Sequence, residues 1–293
     1  MPITVIIPAY NEEAGIAETL RALVHAPDFG PDIEVIVAAN GCRDRTADVA
    51  RGFGVKVVEI EKASKTAAIN AAEEVATGWP RIYLDADIAL APQAVRALGE
   101  ALATPGVHAA VPRPVVDVDH SSWLVRAYYD VNAQLPVFRG RLFGRGVIAI
   151  SRSVRERFDE FPDIIADDLF LDAVVAADAK REVDVPVRVP APRSANDLVN
   201  RLARAREGNE QFQAWARAEG EPQQLLADPV KGSSSTSWLR DVVLPAPRLW
   251  PAAVCYVAMT ALAARRRRSP NWTPRAGWGR PESGAPEPAG EVR

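Results

Sequence analysis

Cysteine and histidine are both scarce, with two cysteines and three histidines in 293 residues. Cys42 and Cys255 stand too far apart in sequence to form a metal knuckle, and two thiols build no disulfide framework, so a reducing, cytoplasmic setting is expected. His25, His108 and His120 show no metal-ligand spacing and read as structural residues. Lysine is sparse too, five against thirty arginines, a bias that fits a GC-rich coding sequence more simply than a demand for anion recognition. An excess of either charge is missing: 35 basic and 38 acidic side chains leave a formal net charge of −3. That excludes the broad positive field of a nucleic-acid binder, and no nucleic-acid partner is expected. A membrane-spanning run is also lacking, because the uncharged stretch from Leu249 to Ala264 falls short of the roughly 20 residues a bilayer requires. The N-terminus carries neither the basic region nor the long apolar stretch of a signal peptide, so its first residues are expected to belong to the fold.

What remains is ordinary globular material, 48% hydrophobic and 25% charged, enough for one large mixed domain or two small ones. Ile3 to Pro8, Ile33 to Ala38, Val55 to Ile60 and Arg81 to Leu84 are short runs rich in Val and Ile, bounded by turn signals, and read as buried strands. Helical patterns lie between them, with Ile16, Leu20, Leu23 and Val24 on one face of the first. A βαβαβαβ order implies a parallel sheet covered on both faces, whose ligands bind outside the carboxyl ends of the strands. Beyond Leu84 the regularity declines. Helices are expected at Pro92 to Leu102, Trp123 to Leu135, Asp167 to Ala177 and Asn196 to Ala218, and strands at Ala109 to Pro114, Val147 to Ile150 and Val183 to Val189. No internal repeat is present.

Asp85-Ala86-Asp87 at the exit of the fourth strand is the sharpest chemical signal. Read as strand, a period of two puts both carboxylates on one face at the ligand-binding edge, where hard oxygens suit Mg2+ or Mn2+ completed by phosphate and water. The exit of the first strand, Pro8-Ala9-Tyr10-Asn11-Glu12-Glu13, supplies a strand stop, a flat ring for a nucleobase and a polar helix start. Tyr10 also fits a core position. Asn40, Gly41 and Asp44 follow the second strand; Asn40 can read a nucleobase edge, while Asp44 fits a helix cap at least as well. Lys65 begins the third helix, where a phosphate is welcome, although a solvated surface lysine fits equally.

Together Val5 to Glu13, Asn40-Gly41-Cys42 with Asp44, Lys65 with Ala68 and Asn70, and Leu84-Asp85-Ala86-Asp87 resemble the family-2 glycosyltransferases of the GT-A fold. The resemblance covers roughly residues 1 to 215 and is strongest before Ile88. It implies an α/β, Rossmann-like mixed sheet with helices on both faces, and a hexosyltransferase-class enzyme moving a sugar from a nucleotide-sugar donor to a hydroxyl acceptor. By position, Pro8, Ala9, Tyr10 and Glu12 would border base and ribose, and Asn40 would meet the base. Lys65 and Asp85 would approach the ribose and diphosphate, with Asp44 and Ala86 in the same donor site, and Asp87 would bind Mn2+ or Mg2+. Many relatives carry aspartate where this chain has Asn40. An amide keeps an acceptor oxygen while losing the charge, so uracil still fits and a UDP-sugar is the favoured donor; because the amide can also donate, guanine and thymine are not excluded.

The family's second acidic motif is best matched by Asp167-Asp168, with Asp168 as the base of an inverting transfer and Asp167 its partner. Two aspartates at a helix start are also ordinary. Arg201, Arg204 and Arg206 stand where relatives place a basic motif near the diphosphate, but the glutamine-x-x-arginine-tryptophan signature is absent; Arg204 is the residue carried forward. Gly144-Arg145-Gly146 resembles the glycine-rich loop on the acceptor side. Two other readings compete: a GT-A-like scaffold without turnover, and a sugar nucleotidyltransferase, which the missing glycine-rich, lysine-bearing loop disfavours.

The expected organisation is a catalytic unit over 1–215, its nucleotide-sugar half at 1–100 and its acceptor half at 101–215. A linker at 216–242, an apolar helix with a basic end at 243–268 and a disordered tail at 269–293 follow. The apolar helix with Arg265 to Arg268 forms a C-terminal appendage expected at the inner face of the cell membrane, the alternative being a helix docked on the core. The sequence leaves open whether the acceptor is a lipid, a polysaccharide or a small molecule, and it does not give the oligomeric state.

Overall fold

The computed structural model describes residues 2–218, 220–227, 238–270 and 272–273. In the first half, β1 (Ile3–Ala9), α1 (Glu13–Val24), β2 (Ile33–Asn40), α2 (Thr46–Gly52), β3 (Lys56–Ile60), α3 (Lys65–Glu73) and β4 (Arg81–Leu84) alternate as the apolar runs require. α4 (Pro92–Leu102), β5 (Ala109–Asp117), α5 (Trp123–Asn132), β6 (Val147–Ile150) and the single turn α6 (Arg152–Arg155) follow. The chain continues through α7 (Asp167–Val174), β7 (Lys180–Pro190), α8 (Ala195–Ala216), α9 (Glu221–Leu225) and α10 (Trp250–Arg267).

Seven strands form one sheet in the order β3-β2-β1-β4-β6-β5-β7. β1 pairs in parallel with β2 and β4, whereas β6 runs antiparallel to β4 and β5, so the sheet is mixed. Strand alternation sorts β1 between two cores. Ile6 joins Ile36, Ala68, Ile69, Tyr83 and Phe170 on the face covered by α3 and α7. Val5 and Ile7 join Ile16, Leu20, Val35, Val37 and Leu98 on the face covered by α1 and α4. The central strands are covered on both faces, which is why their sequences read as unbroken Val/Ile runs.

The C-terminal helix is docked. Met259 and Ala263 of α10 pack with Val125 and Tyr128 of α5 and Leu198, Val199 and Ala203 of α8. Ala252 and Ala253 join Val131, Leu135, Val242, Val243 and Leu249 in a neighbouring cluster. Among the described residues no helix is long and apolar enough to cross a membrane. The stretch expected as a linker holds α9 and a π-helical turn at Trp238–Val243. Ser233 to Ser237 and most of the expected tail lie outside the described residues.

Candidate active site

The carboxyl ends of β1, β2 and β4 open onto one edge. β4 ends at Leu84, so Asp85-Ala86-Asp87 lies in a turn closed by the Ile88 amide donating to the Asp85 carbonyl, 3.1 Å. The period-two expectation for these carboxylates therefore does not apply. They are nonetheless neighbours in a common field: the surrounding protein atoms oppose the charge of Arg201, but Tyr129 and the carboxylates of Asp87 and Asp85 raise its pKa. The Ala86 carbonyl accepts from the Thr19 hydroxyl at 2.7 Å, which pins the turn to α1.

Lys65 connects the two halves of the chain. Ser64 caps α3 by accepting from the Ala67 amide, and Lys65 is the first helical residue. Its Nζ lies 2.7 Å from Asp85 Oδ1 and 2.9 Å from Asp167 Oδ2. Burial alone would lower the ammonium's pKa, but Asp167 and Asp85 outweigh it and hold Lys65 charged above the ordinary lysine range. Asp167 is buried, and that burial, with repulsion from Asp168 and Asp85, pushes its carboxyl up to about 6 despite the attraction of Lys65.

Asp168 is half-buried at the start of α7. Its Oδ2 accepts from the Gly144 amide at 2.9 Å, which ties the candidate base to the glycine-rich loop. Gly146 of that loop has φ 70° and its carbonyl accepts from the Asp85 amide at 2.8 Å. A Cβ there would stand 2.9 Å from Ile88 Cγ1, so the loop needs glycine to reach β4. Arg145 faces elsewhere: it pairs with Glu182 at 3.0 Å and donates to the Phe138 carbonyl at 2.6 Å, stapling the loop to β7.

Arg204 of α8 completes the constellation. Burial lowers its pKa to about 10, against the pull of Asp167, Asp85 and Asp168. Gly208, one turn on, lets α8 approach the segment that leads into α7, since a Cβ there would lie 3.2 Å from the Ala166 Cβ. Arg206 is turned the other way and donates to the Thr260 carbonyl at 3.4 Å.

At the first two strand exits the residues behave differently from one another. Pro8 and Ala9 are buried in the ladder, while Tyr10 and Glu12 are partly exposed at its end. Asn11 has φ 49°, and its side chain accepts from the Arg43 amide. Asp44 is a tether: its two oxygens accept from the Thr46 amide at 3.0 Å and the Glu13 amide at 3.1 Å, joining the starts of α1 and α2. Asn40 is fully buried, with Nδ2 donating to the Ala9 carbonyl at 2.9 Å and Oδ1 lacking a hydrogen-bond partner among the described residues. Burial raises the Cys42 thiol pKa, consistent with a packed residue rather than a nucleophile.

Several residues that build the site were not singled out as site residues from the sequence. Asn70 donates to and accepts from the Phe161 backbone at 3.0 and 2.9 Å, and Gln211 accepts from the Ile165 amide at 3.1 Å. Asp172 is fully buried beside Lys180 at 3.0 Å and accepts from the Leu142 amide at 2.8 Å. Its position four residues after Asp168 was the available signal, because that spacing shares one helical face. Among the described residues no three His, Cys, Asp or Glu side chains converge as a metal cage. The hard carboxylate oxygens of Asp85 and Asp87 fit instead a divalent cation that keeps water and phosphate in its shell.

The comparisons with known proteins agree with this architecture. The chain is 33% identical over 106 residues to the undecaprenyl-phosphate 4-deoxy-4-formamido-L-arabinose transferase of Pseudomonas aeruginosa, covering 33% of this chain and 31% of that protein. It is 33% identical over 96 residues to glycosyltransferase AglD of Haloferax volcanii, covering 30% and 15%. The matched stretch thus spans less than a third of either relative. Mannosyltransferase PcManGT from Pyrobaculum calidifontis, solved in complex with GDP-Man and Mn2+, superposes with a TM-score of 0.59 at 22% identity, over 90% of this chain and 86% of that one, and shares the fold. The family model for glycosyl transferase family 2 matches residues 4–150, half of the sequence, and the chain belongs to that family.

Proposed function

We propose that this protein is an inverting, metal-dependent glycosyltransferase that moves a sugar from a nucleotide-sugar donor, a UDP-sugar by preference, to a hydroxyl acceptor. The observation that carries the reading is the Lys65 ammonium held between Asp85 and Asp167. It joins the expected donor-side and acceptor-side acids at one sheet edge. Tyr10 and Glu12 border the base and ribose, and Lys65, Arg204 and Arg201 supply positive charge for the diphosphate. Asn40 Oδ1 is an unmet acceptor at the base end. Uracil, thymine and guanine all present a ring N–H to such an acceptor, and contact requires the loop above Asn40 to open.

Asp168 takes the acceptor hydroxyl proton as that oxygen bonds to the anomeric carbon. The bond from that carbon to the diphosphate breaks on the opposite face, and configuration inverts. The Gly144 amide orients the Asp168 carboxylate, and Asp167 keeps Lys65 in place rather than reacting. Asp87, with Asp85 beside it, would hold Mn2+ or Mg2+, which supplies charge neutralisation of the diphosphate when bound.

Calorimetry with UDP, GDP and dTDP, each with and without Mn2+, tests the donor site. Metal-linked binding of one nucleotide is expected, and its absence for all three rejects the reading. Asp168→Asn should retain donor affinity while losing roughly 10²-fold or more in turnover, as expected for loss of a general base. Undiminished turnover would remove Asp168 from that role.

A further inference from the structure

We propose that the outward face of α10, with the adjoining turn Trp238–Leu244, is a docking surface for an anionic lipid bilayer, the helix lying in the plane of the interface. This docking does not depend on the transferase reading, because it needs neither donor nor metal.

The amphipathic sense of α10 is unusual for a surface helix. Its inward side is built from Ala252, Ala253, Met259 and Ala263, with Tyr256 stacked on Tyr128 at 5.2 Å, against α5 and α8. Its solvent side carries Trp250, Val254, Val257, Ala258, Ala261 and Leu262 at helical spacing, with no charged residue between Arg248 and Arg265. Val254 is 70% exposed, Trp250 57% and Leu262 48%, and Leu244 of the adjoining turn is 56% exposed. Helix and turn enclose an apolar groove of about 600 Å³ lined by Trp238, Leu244, Trp250, Val254 and Val257 among others. Contiguous exposed apolar surface of this kind marks an interaction site.

Charge selects the occupant. The four consecutive arginines divide by direction. Arg266 donates to Asn196 and Asn200, and Arg267 pairs with Glu207 and Glu210, so these two fasten α10 to α8. Arg265 and Arg268 are exposed, three residues apart on one face, and Arg248 is exposed at the other end of the apolar stripe. From Val242 to Pro270 the sequence has no acidic residue. In the turn, Arg240 is paired with Asp241. An apolar stripe about 18 Å long, from twelve residues at 1.5 Å each, bracketed by arginines, matches acyl chains beneath anionic headgroups. Two copies meeting through this face about a two-fold axis would set like charges in close proximity, which disfavours a homodimer.

The test is flotation of the full chain with vesicles of phosphatidylcholine alone and of an equal mixture with phosphatidylglycerol. Binding to the mixed vesicles is expected, with a blue shift of tryptophan emission and weakening by salt. Val254→Glu and Trp250→Glu should each lower partitioning at least tenfold, and Arg265→Glu with Arg268→Glu about fivefold or more for each site. Because these side chains are solvent-exposed, the unfolding midpoints and nucleotide affinity of the variants should match wild type. Absence of wild-type binding to the mixed vesicles, or binding that none of the variants diminishes, overturns the proposal. So does a concentration-dependent dimer in sedimentation velocity that Val254→Glu dissolves while vesicle binding is absent.

Discussion

Replacing Lys65 with methionine tests the central electrostatic arrangement, because the expected loss of stability depends on pH in a way a packing defect does not. Lys65 touches Asp167, whose side chain is 7% exposed, and Asp85, which is 41% exposed. Solvent screens the Asp85 arm, so it contributes little. Most of the effect resides in Asp167, left as a buried carboxylate that keeps the attraction of Arg204 but loses its ion pair with Lys65, at a cost of about 2–3 kcal/mol near pH 7.5. With a pKa of about 6 even beside Lys65, Asp167 is largely protonated at pH 5. The lysine then has no charge on Asp167 to neutralise. Since one pKa unit corresponds to about 1.4 kcal/mol, the destabilisation should shrink by about 2 kcal/mol between pH 7.5 and pH 5. Guanidinium unfolding followed by tryptophan fluorescence at both pH values measures it. Adding Asp167→Asn to Lys65→Met should recover more than half the loss at pH 7.5. An equal loss at both pH values, or no recovery in the double variant, refutes the reasoning.

Three further outcomes follow from the same geometry. Because burial holds the folded-state pKa of Asp167 at about 6, above the 3.8 of an ordinary aspartate, the folded chain holds a proton between about pH 4 and 6 that the unfolded chain releases. The resulting stability is present at low pH and lost as pH rises through that window, by up to about 3 kcal/mol. Thermal midpoints of wild type and Asp167→Asn should therefore shift in favour of the variant from pH 4 to 7, and a constant gap would contradict this. Gly146→Ala should cost roughly 2–3 kcal/mol in chemical denaturation, combining a positive φ with the contact to Ile88, whereas Gly144→Ala, whose Cβ meets only Phe138 at 3.5 Å, should cost less. Asp172→Asn removes the buried carboxylate that pairs with Lys180 at 3.0 Å and Arg141 at 3.2 Å and should destabilise by about 3 kcal/mol in chemical denaturation; Lys180→Met in the same chain should restore part of it.

The parts of this fold that were legible in the sequence are those whose physics is local. Buried parallel strands leave contiguous apolar runs, and β1 to β4 were found within a residue or two of their observed ends. The strand expected over Ala109 to Pro114 is longer in the structure, although a proline gives a ladder no N–H. β5 continues to Asp117, and its pairing with β7 absorbs the prolines through a register shift between Pro112 and Arg113. The Asp-Ala-Asp motif was visible, but its presentation depended on β4 stopping at Leu84, which only the pairing with Val147 fixes. Its place at the exit of the second strand marks Asn40 as a base reader, and the resemblance adds to that. Its full burial against the Ala9 carbonyl is a tertiary fact that no local pattern records. The Lys65 to Asp167 contact joins residues a hundred positions apart, so a short motif could name each partner without showing that they meet.

That long-range contact also explains why the nucleotide half alone does not make the site. The family match ends at residue 150, whereas the candidate base is Asp168. Between them the chain runs through a segment with little regular structure, from Glu156 to Ala166, whose placement has to come from elsewhere. α3 provides most of it. Lys62 and Ser64, just before the helix, grip Asp163 at 2.8 and 3.2 Å, Asn70 holds the Phe161 backbone in both directions, and Lys65 reaches Asp167. α8 closes the far side through Gln211 on the Ile165 amide and Gly208 against Ala166. The same short stretch of chain, residues 62 to 70, therefore meets Asp85 and Asp167 through Lys65 and fixes the segment leading to Asp167 and Asp168 through its other side chains, which under the proposed function couples donor side to acceptor side. A displacement of α3 would be transmitted to Asp167 directly, and to its neighbour Asp168 through the segment that α3 holds, by contacts of 3.2 Å or less rather than through the sheet.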